Sequence, residues 1–222
     1  MKLVEAGTFQ MGSTTGDSDE APVHSVTISK DYYMGETEVT QALWEAVTGY
    51  SPTSGGSSWS STYGLGDNYP AYNISYEDVQ SFITELNSLT GENFRMPTET
   101  EWEFAARGGN KSKGYKYSDS NTIGDVAWYS KNTRSKTYAV KTKAANELGI
   151  YDMSGNVGEW CSDWYGKYSS RAQTDPTGPT TGNTRVSRGG SWSCGAASCR
   201  CAIRGGDSPS ERFLDCGVRL AL

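Results

Sequence analysis

The chain reads as a single α+β domain, and three features predict it. Apolar residues recur at helical spacing only between about residues 40 and 108. Beyond Gly109 that period gives way to short aromatic-bearing strand patterns and turns. No stretch of linker composition, repeat or low-complexity tract divides the 222 residues.

The elements follow in order. Ala6-Gly7-Thr8-Phe9-Gln10-Met11-Gly12-Ser13 reads as a strand running into a turn, then an acidic loop through Asp17, Asp19 and Glu20 to Pro22. Val23 to Ile28 alternates as an edge strand should. Thr40 can cap a first helix with Leu43, Trp44 and Val47 on one face and Gly49 as its stop. Ser51 to Asn68 is Gly/Ser/Tyr-rich and aperiodic, hence a long surface loop. Ser75-Tyr76-Glu77-Asp78 resembles a capping box with Asp in the acidic position. Val79, Phe82, Ile83, Leu86 and Leu89 follow at helical spacing until Gly91. A second capping box, Thr98 to Glu101, opens a helix whose apolar face is Trp102, Ala105 and Ala106. The remainder is strand and loop, including a Pro/Thr/Gly loop from Asp175 to Thr184.

Composition narrows the function. The 35% hydrophobic content and 26 Gly suffice for a buried core, and the formal charge of −6 with no Lys/Arg run offers nothing to phosphate backbones. Nucleic acid is therefore not expected as a partner. No window approaches the ~20 apolar residues of a bilayer-spanning helix, and the first thirty residues lack the pattern of an export signal. The single histidine, His24, excludes two-histidine zinc motifs and reads as structural. The 7 Trp and 14 Tyr against 5 Phe describe loops pinned by aromatics that keep a polar handle.

Several strings occur together: Gly7 to Ser13, Pro22-Val23-His24, Glu38-Val39-Thr40, Arg95 to Gly109 (RMPTETEWEFAARGG), Met153 to Trp160 (MSGNVGEW) and Arg188-Gly189-Gly190-Ser191-Trp192. In that order the chain resembles the formylglycine-generating-enzyme, or sulfatase-modifying-factor, family from about residue 6 to the end. The resemblance implies a C-type-lectin-like fold over residues 1–222: two helices, small twisted antiparallel sheets and many loops. The family's oxidases bind Cu(I) through two cysteines five positions apart after the Gly-Gly-Ser motif, and soft thiolates suit that ion. Cys194 and Cys199 stand at those offsets. Between them lie only Gly195, Ala196, Ala197 and Ser198, and Arg200 alone separates them from Cys201-Ala202-Ile203-Arg204. Gly158 stands where many members have tryptophan. Such a stretch offers little to position a substrate thiol.

Residues 188–222 more closely resemble the variable proteins of diversity-generating retroelements, in which error-prone copying at template adenines rewrites the 3′ end of the gene. Asn codons altered at their first two bases cannot yield Trp, Gln, Lys, Met or Glu. Where template asparagines are expected, this chain has Ser193, Cys194, Gly195, Ala196, Ala197, Ser198, Ile203, Gly205, Gly206, Asp207, Ser210, Phe213, Leu214, Asp215 and Cys216, none of the forbidden five. These residues form the expected ligand-binding face. Phe213, Leu214 and Ile203 serve as apolar anchors, and Asp207 and Asp215 as charged contacts. Arg188, Arg200, Arg204, Arg212 and Arg219 recur along the segment, Arg188 and Arg204 directly beside Gly, and can hold the backbone through carbonyl and carboxylate bonds. The odd count of five cysteines does not suit a disulfide framework. The retroelement resemblance makes Cys194 and Cys216 products of diversification, and leaves Cys161 and Cys199 as buried small hydrophobes or a pair.

The sequence thus predicts a non-enzymatic binding protein with no catalytic residue, no metal site and no cofactor, whose partner is an unidentified protein or other macromolecule. Two alternatives stand beside it: a copper-dependent oxidase using Cys194 and Cys199, and a docking member of the family without diversification. The stretches Asn121 to Asp125 and Asn156 to Glu159 are similar to places where family members bind structural calcium, and hard oxygen ligands would suit Ca²⁺. The tryptophans are expected mostly in the core rather than as a sugar platform. The resemblance implies display outside the cytoplasm on a bacterial surface, with a signal segment and lipid anchor that this chain lacks.

Overall fold

Helix α2 (Tyr76–Thr90) begins where its capping box predicts: the Ser75 side chain accepts from Asp78 N and the Asp78 carboxylate accepts from Ser75 N. Gly91 ends it in the left-handed conformation. Helices α1 (Gln41–Thr48) and α3 (Glu99–Ala106) start from the expected caps, Thr40 and Thr98. Helix α4 (Ile123–Val126), a single turn in the half expected to lack helix, is too short for a periodic signal. The computed structural model describes residues 1–52 and 59–222, so part of the expected Ser51–Asn68 loop lies outside the described residues.

Among the described residues three small sheets accompany the helices. Strands β1 (Lys2–Val4) and β4 (Tyr32–Met34) pair antiparallel. Strand β3 (His24–Ile28) pairs antiparallel with β2 (Gly7–Met11). Its other side pairs parallel with β6 (Gln173–Thr174), so the alternating segment is internal where an edge strand is expected. The largest sheet has the order β8-β7-β5-β9, from β8 (Arg204–Asp207), β7 (Arg185–Arg188), β5 (Gly158–Trp164) and β9 (Cys216–Val218). Because β3 runs parallel to β6 and β5 to β9, the two larger sheets are mixed rather than purely antiparallel.

Two large cores form around these elements. One gathers Trp44, Val79, Phe82 and Leu86 from α1 and α2 with Trp160 and Val218 from the main sheet; Trp44 and Phe82 stack with centroids 4.7 Å apart. The other packs α3 through Trp102, Phe104 and Ala105 against Met11, Val26 and Val186. Leu43 and Leu89, expected on apolar faces, are exposed, because α1 and α2 bury narrower stripes around Trp44 and Phe82. Trp44, Trp59, Trp102 and Trp160 are buried, in keeping with the core expectation, whereas Trp128, Trp164 and Trp192 are half-buried.

Candidate functional site

At one end of the main sheet, β5 and β9 begin at Gly158 and Cys216, β7 ends at Arg188 and β8 starts at Arg204. These four residues border a cavity of about 380 Å³. The chain leaves β7 through Gly189 and Gly190, both in the left-handed region. A Cβ on Gly190 would lie 2.0 Å from the carbonyl oxygen of Ser198, so only glycine lets the loop close over the following turn.

Of the expected face, Cys194, Ser198, Ile203, Gly205, Asp207, Phe213, Asp215 and Cys216 line this cavity. Ser193, Gly195, Ala197, Gly206 and Ser210 lie outside its lining as exposed residues, and Ala196 is half-buried. Two residues depart from an accessible face. Cys216 is buried, placed in β9 by its pairing with Gly158, so it contributes floor. Leu214 does not line the cavity; it packs against the α1–α2 core, as Phe213 also does, and its carbonyl accepts from Trp192 Nε1 at 3.2 Å. Gly206 is exposed yet closed to larger side chains, since a Cβ there would lie 2.7 Å from the Tyr165 ring. Asp17 lines the same cavity from the N-terminal loop, a contribution no local pattern near residue 200 announces.

The face is acidic and hydroxyl-rich. Asp215 Oδ2 accepts from Ser191 Oγ at 2.7 Å and from Ser193 Oγ, while Asp207 Oδ2 accepts from Ser187 Oγ at 2.8 Å. Beneath it lies the arginine frame expected from the sequence. Arg188, fully buried, donates to the carbonyls of Ala202, Ile203 and Cys201 and pairs with Glu103. Burial opposes its charge, but Tyr168, Glu103 and Glu99 outweigh that and hold its pKa above the usual arginine value. Arg204 grips Glu99, Arg200 grips Glu20, and Arg212 grips Asp78. Arg219 pairs with Glu159 at 2.7 Å and donates to Gly35 O and Tyr151 O. Each of these five arginines therefore ties the C-terminal segment to an acid elsewhere in the chain.

The cysteines are all free thiols. Cys161 and Cys199, expected as buried hydrophobes or a pair, are buried in different clusters and unpaired. Cys194 and Cys199 pack in one cluster, with the Cys199 thiol directed at Gly195 O. Burial pushes the Cys199 thiol up to about 12, and Cys194 adds to the rise. Cu(I) requires thiolates, and no basic group is among those acting on Cys199. The Asn156–Glu159 stretch does not fit calcium. The Asn156 side chain bonds Glu38 and the Tyr138 backbone, and the Glu159 oxygens are held by Arg219 and Trp102.

Comparison with known proteins adds a lineage. The family model described as "Sulfatase-modifying factor enzyme 1-like domain" matches residues 1–222. The chain is 34% identical to "Chaperone protein LppX" of Paenibacillus barcinonensis, over 86% of this chain and 77% of that protein. It is 29% identical to the formylglycine-generating enzyme of Streptomyces coelicolor, over 97% of this chain and 86% of the enzyme. Among solved structures, Treponema denticola variable protein 1 superposes with a TM-score of 0.86 at 34% identity, covering 100% of this chain and 94% of that one.

Proposed function

The chain belongs to the sulfatase-modifying factor family, and from that premise we propose that it is a non-enzymatic binding protein whose C-terminal residues 188–222 form a diversified ligand-binding face. One observation carries this reading: the segment separates framework from surface. The arginines that hold its backbone are matched to acids outside it. Among the described residues the cavity acids Asp207 and Asp215 form no ion pair with a distant element, and Ile203 and Phe213 carry no charge to form one. A display site needs that separation, because side chains can then change without moving the backbone.

In this reading Ile203 and Phe213 anchor an apolar part of a macromolecular partner, and Asp207 and Asp215 select its charge. The likeness to a variable protein supports the assignment. Display outside the cytoplasm on a bacterial surface, with a lipid tether, belongs to the same proposal. So does diversification by a retroelement.

Two measurements test it. Sequencing the 3′ end of the gene across independent isolates should find substitutions concentrated at Ser193–Ser198, Ile203, Gly205–Asp207, Ser210 and Phe213–Cys216, with the five arginines unchanged. Substitutions spread evenly along the chain would sink the diversification reading. Cu(I) titration of the reduced protein with an oxygen-consumption assay on a cysteine peptide should give neither stoichiometric copper nor turnover. Tight copper lost in both Cys194→Ser and Cys199→Ser, with turnover, would make the protein an oxidase instead.

A further inference from the structure

Arg204 also borders a second cavity, of about 210 Å³, between β5 and the loop that follows β6. That loop is docked, not loose: Ser29 N donates to Asp175 Oδ1 at 2.8 Å, and Thr100 Oγ1 to Pro176 O at 3.3 Å. Two polar side chains lining the cavity, His24 at 4% exposure and Asp163 at 3%, each keep one atom without a hydrogen-bond partner among the described residues. His24 Nδ1 lies 3.0 Å from Pro22 O. A carbonyl only accepts, so Nδ1 carries a proton, and in the Nδ1–H tautomer Nε2 presents a lone pair. Asp163 Oδ2 accepts from Glu99 N at 3.0 Å and from Ser162 Oγ, which leaves Oδ1 unused. Neither atom is sealed from solvent, and both side chains line the cavity.

The charge balance singles out Asp163. Its neighbour Glu99 is matched by Arg204 and accepts from Tyr168, but Asp163 itself forms no ion pair among the described residues. Burial, with Glu99 and Glu101 nearby, pushes its carboxyl up to about 7. A buried acid without a cation facing a cavity is an unfilled half of an ion pair. Lys167 at the rim is exposed and makes no ion pair among the described residues.

We propose that this cavity binds a small aliphatic amine, its ammonium facing Asp163 and a second hydrogen-bond donor facing His24. The site is independent of the proposed variable face, apart from the shared wall at Arg204. Because His24 is the only histidine, its ring gives a single set of NMR signals in the whole chain. Ethanolamine, with one ammonium and one hydroxyl, is the probe.

At pH 8 ethanolamine should move the His24 ring resonances saturably, whereas acetate and ethylene glycol at equal concentration should not. Asp163→Asn, which keeps an acceptor for Glu99 N, should weaken binding about tenfold or more, and Lys167→Met should leave it unchanged or tighter. No saturable shift in the unaltered chain overturns the proposal whether or not the variants fold. So does an equal response to ethylene glycol, unchanged affinity in a folded Asp163→Asn protein, or a tenfold loss in Lys167→Met.

Discussion

Arg204 Nε and Nη2 lie 2.7 and 2.6 Å from the two oxygens of Glu99, joining the first residue of β8 to the first residue of α3. The Tyr165 and Tyr168 rings flank the guanidinium. Both partners are buried, so removing Glu99 leaves Arg204 without its acid, and removing Arg204 leaves Glu99 with Arg188 alone, 3.7 Å away. Glu99→Met or Arg204→Met should each cost about 3–5 kcal/mol, while Glu99→Met with Arg204→Met should cost clearly less than the two combined. Urea denaturation of the four proteins closes the cycle. Additive costs would mean that the pair does not carry the junction.

The glycines of the C-terminal segment differ sharply in their freedom. A Cβ on Gly195 meets no atom within 4 Å, and its φ of −73° suits any residue. Gly206 faces the body of the Tyr165 ring at 2.7 Å. Gly195→Asn should therefore change stability by no more than about 0.5 kcal/mol, whereas Gly206→Asn should cost about 1–3 kcal/mol through overpacking. Thermal melts of both variants check the contrast. If Gly206 is truly diversified, the smaller residues should dominate there.

The helices and the arginine frame were legible in the sequence because both are local signals. Capping boxes at Ser75 and Thr98 span four residues, and arginines beside Gly mark segments whose carbonyls need donors. The partners were not legible, since nothing within reach of Arg188 in sequence points to Glu103, or of Arg200 to Glu20. Asp17 reaches the candidate site by the same long-range route. The fate of Val23–Ile28 turned on a two-residue strand, β6, too short to carry a pattern. Cys216 looked variable from its place in the segment, yet pairing with Gly158 buries it.

Stability should rise as the pH falls from 8 toward 5. Burial raises Asp163 from 3.8 to about 7 and Asp152 from 3.8 to about 6, so between about pH 4 and 7 the folded chain holds protons that the unfolded chain has released. Acidification through that window therefore favours the folded state. Below it the sign reverses: Glu103, although burial opposes its charge, is held low by Arg188 and Arg107 and loses its stabilisation on protonation. Asp163→Asn should gain about 2 kcal/mol at pH 8 and little at pH 5. A wild-type urea midpoint higher at pH 8 than at pH 5 would contradict this account.

The thiols offer a direct probe of the C-terminal segment. Cys161, Cys199, Cys201 and Cys216 are buried, and burial lifts each of these thiols, to about 12 for Cys199 and Cys201. Cys194 alone is partly exposed, accepting from Ser191 Oγ at 3.2 Å beside the cavity. Iodoacetamide reacts with accessible thiolate, so the native protein at pH 8 should label rapidly at Cys194 only, and at all five cysteines once unfolded in urea. Peptide mass mapping distinguishes the positions. Rapid native labelling of Cys199 as well would mean that the turn at residues 196–199 opens readily. Confinement to Cys194 would fit a framework that stays closed beneath a surface free to vary.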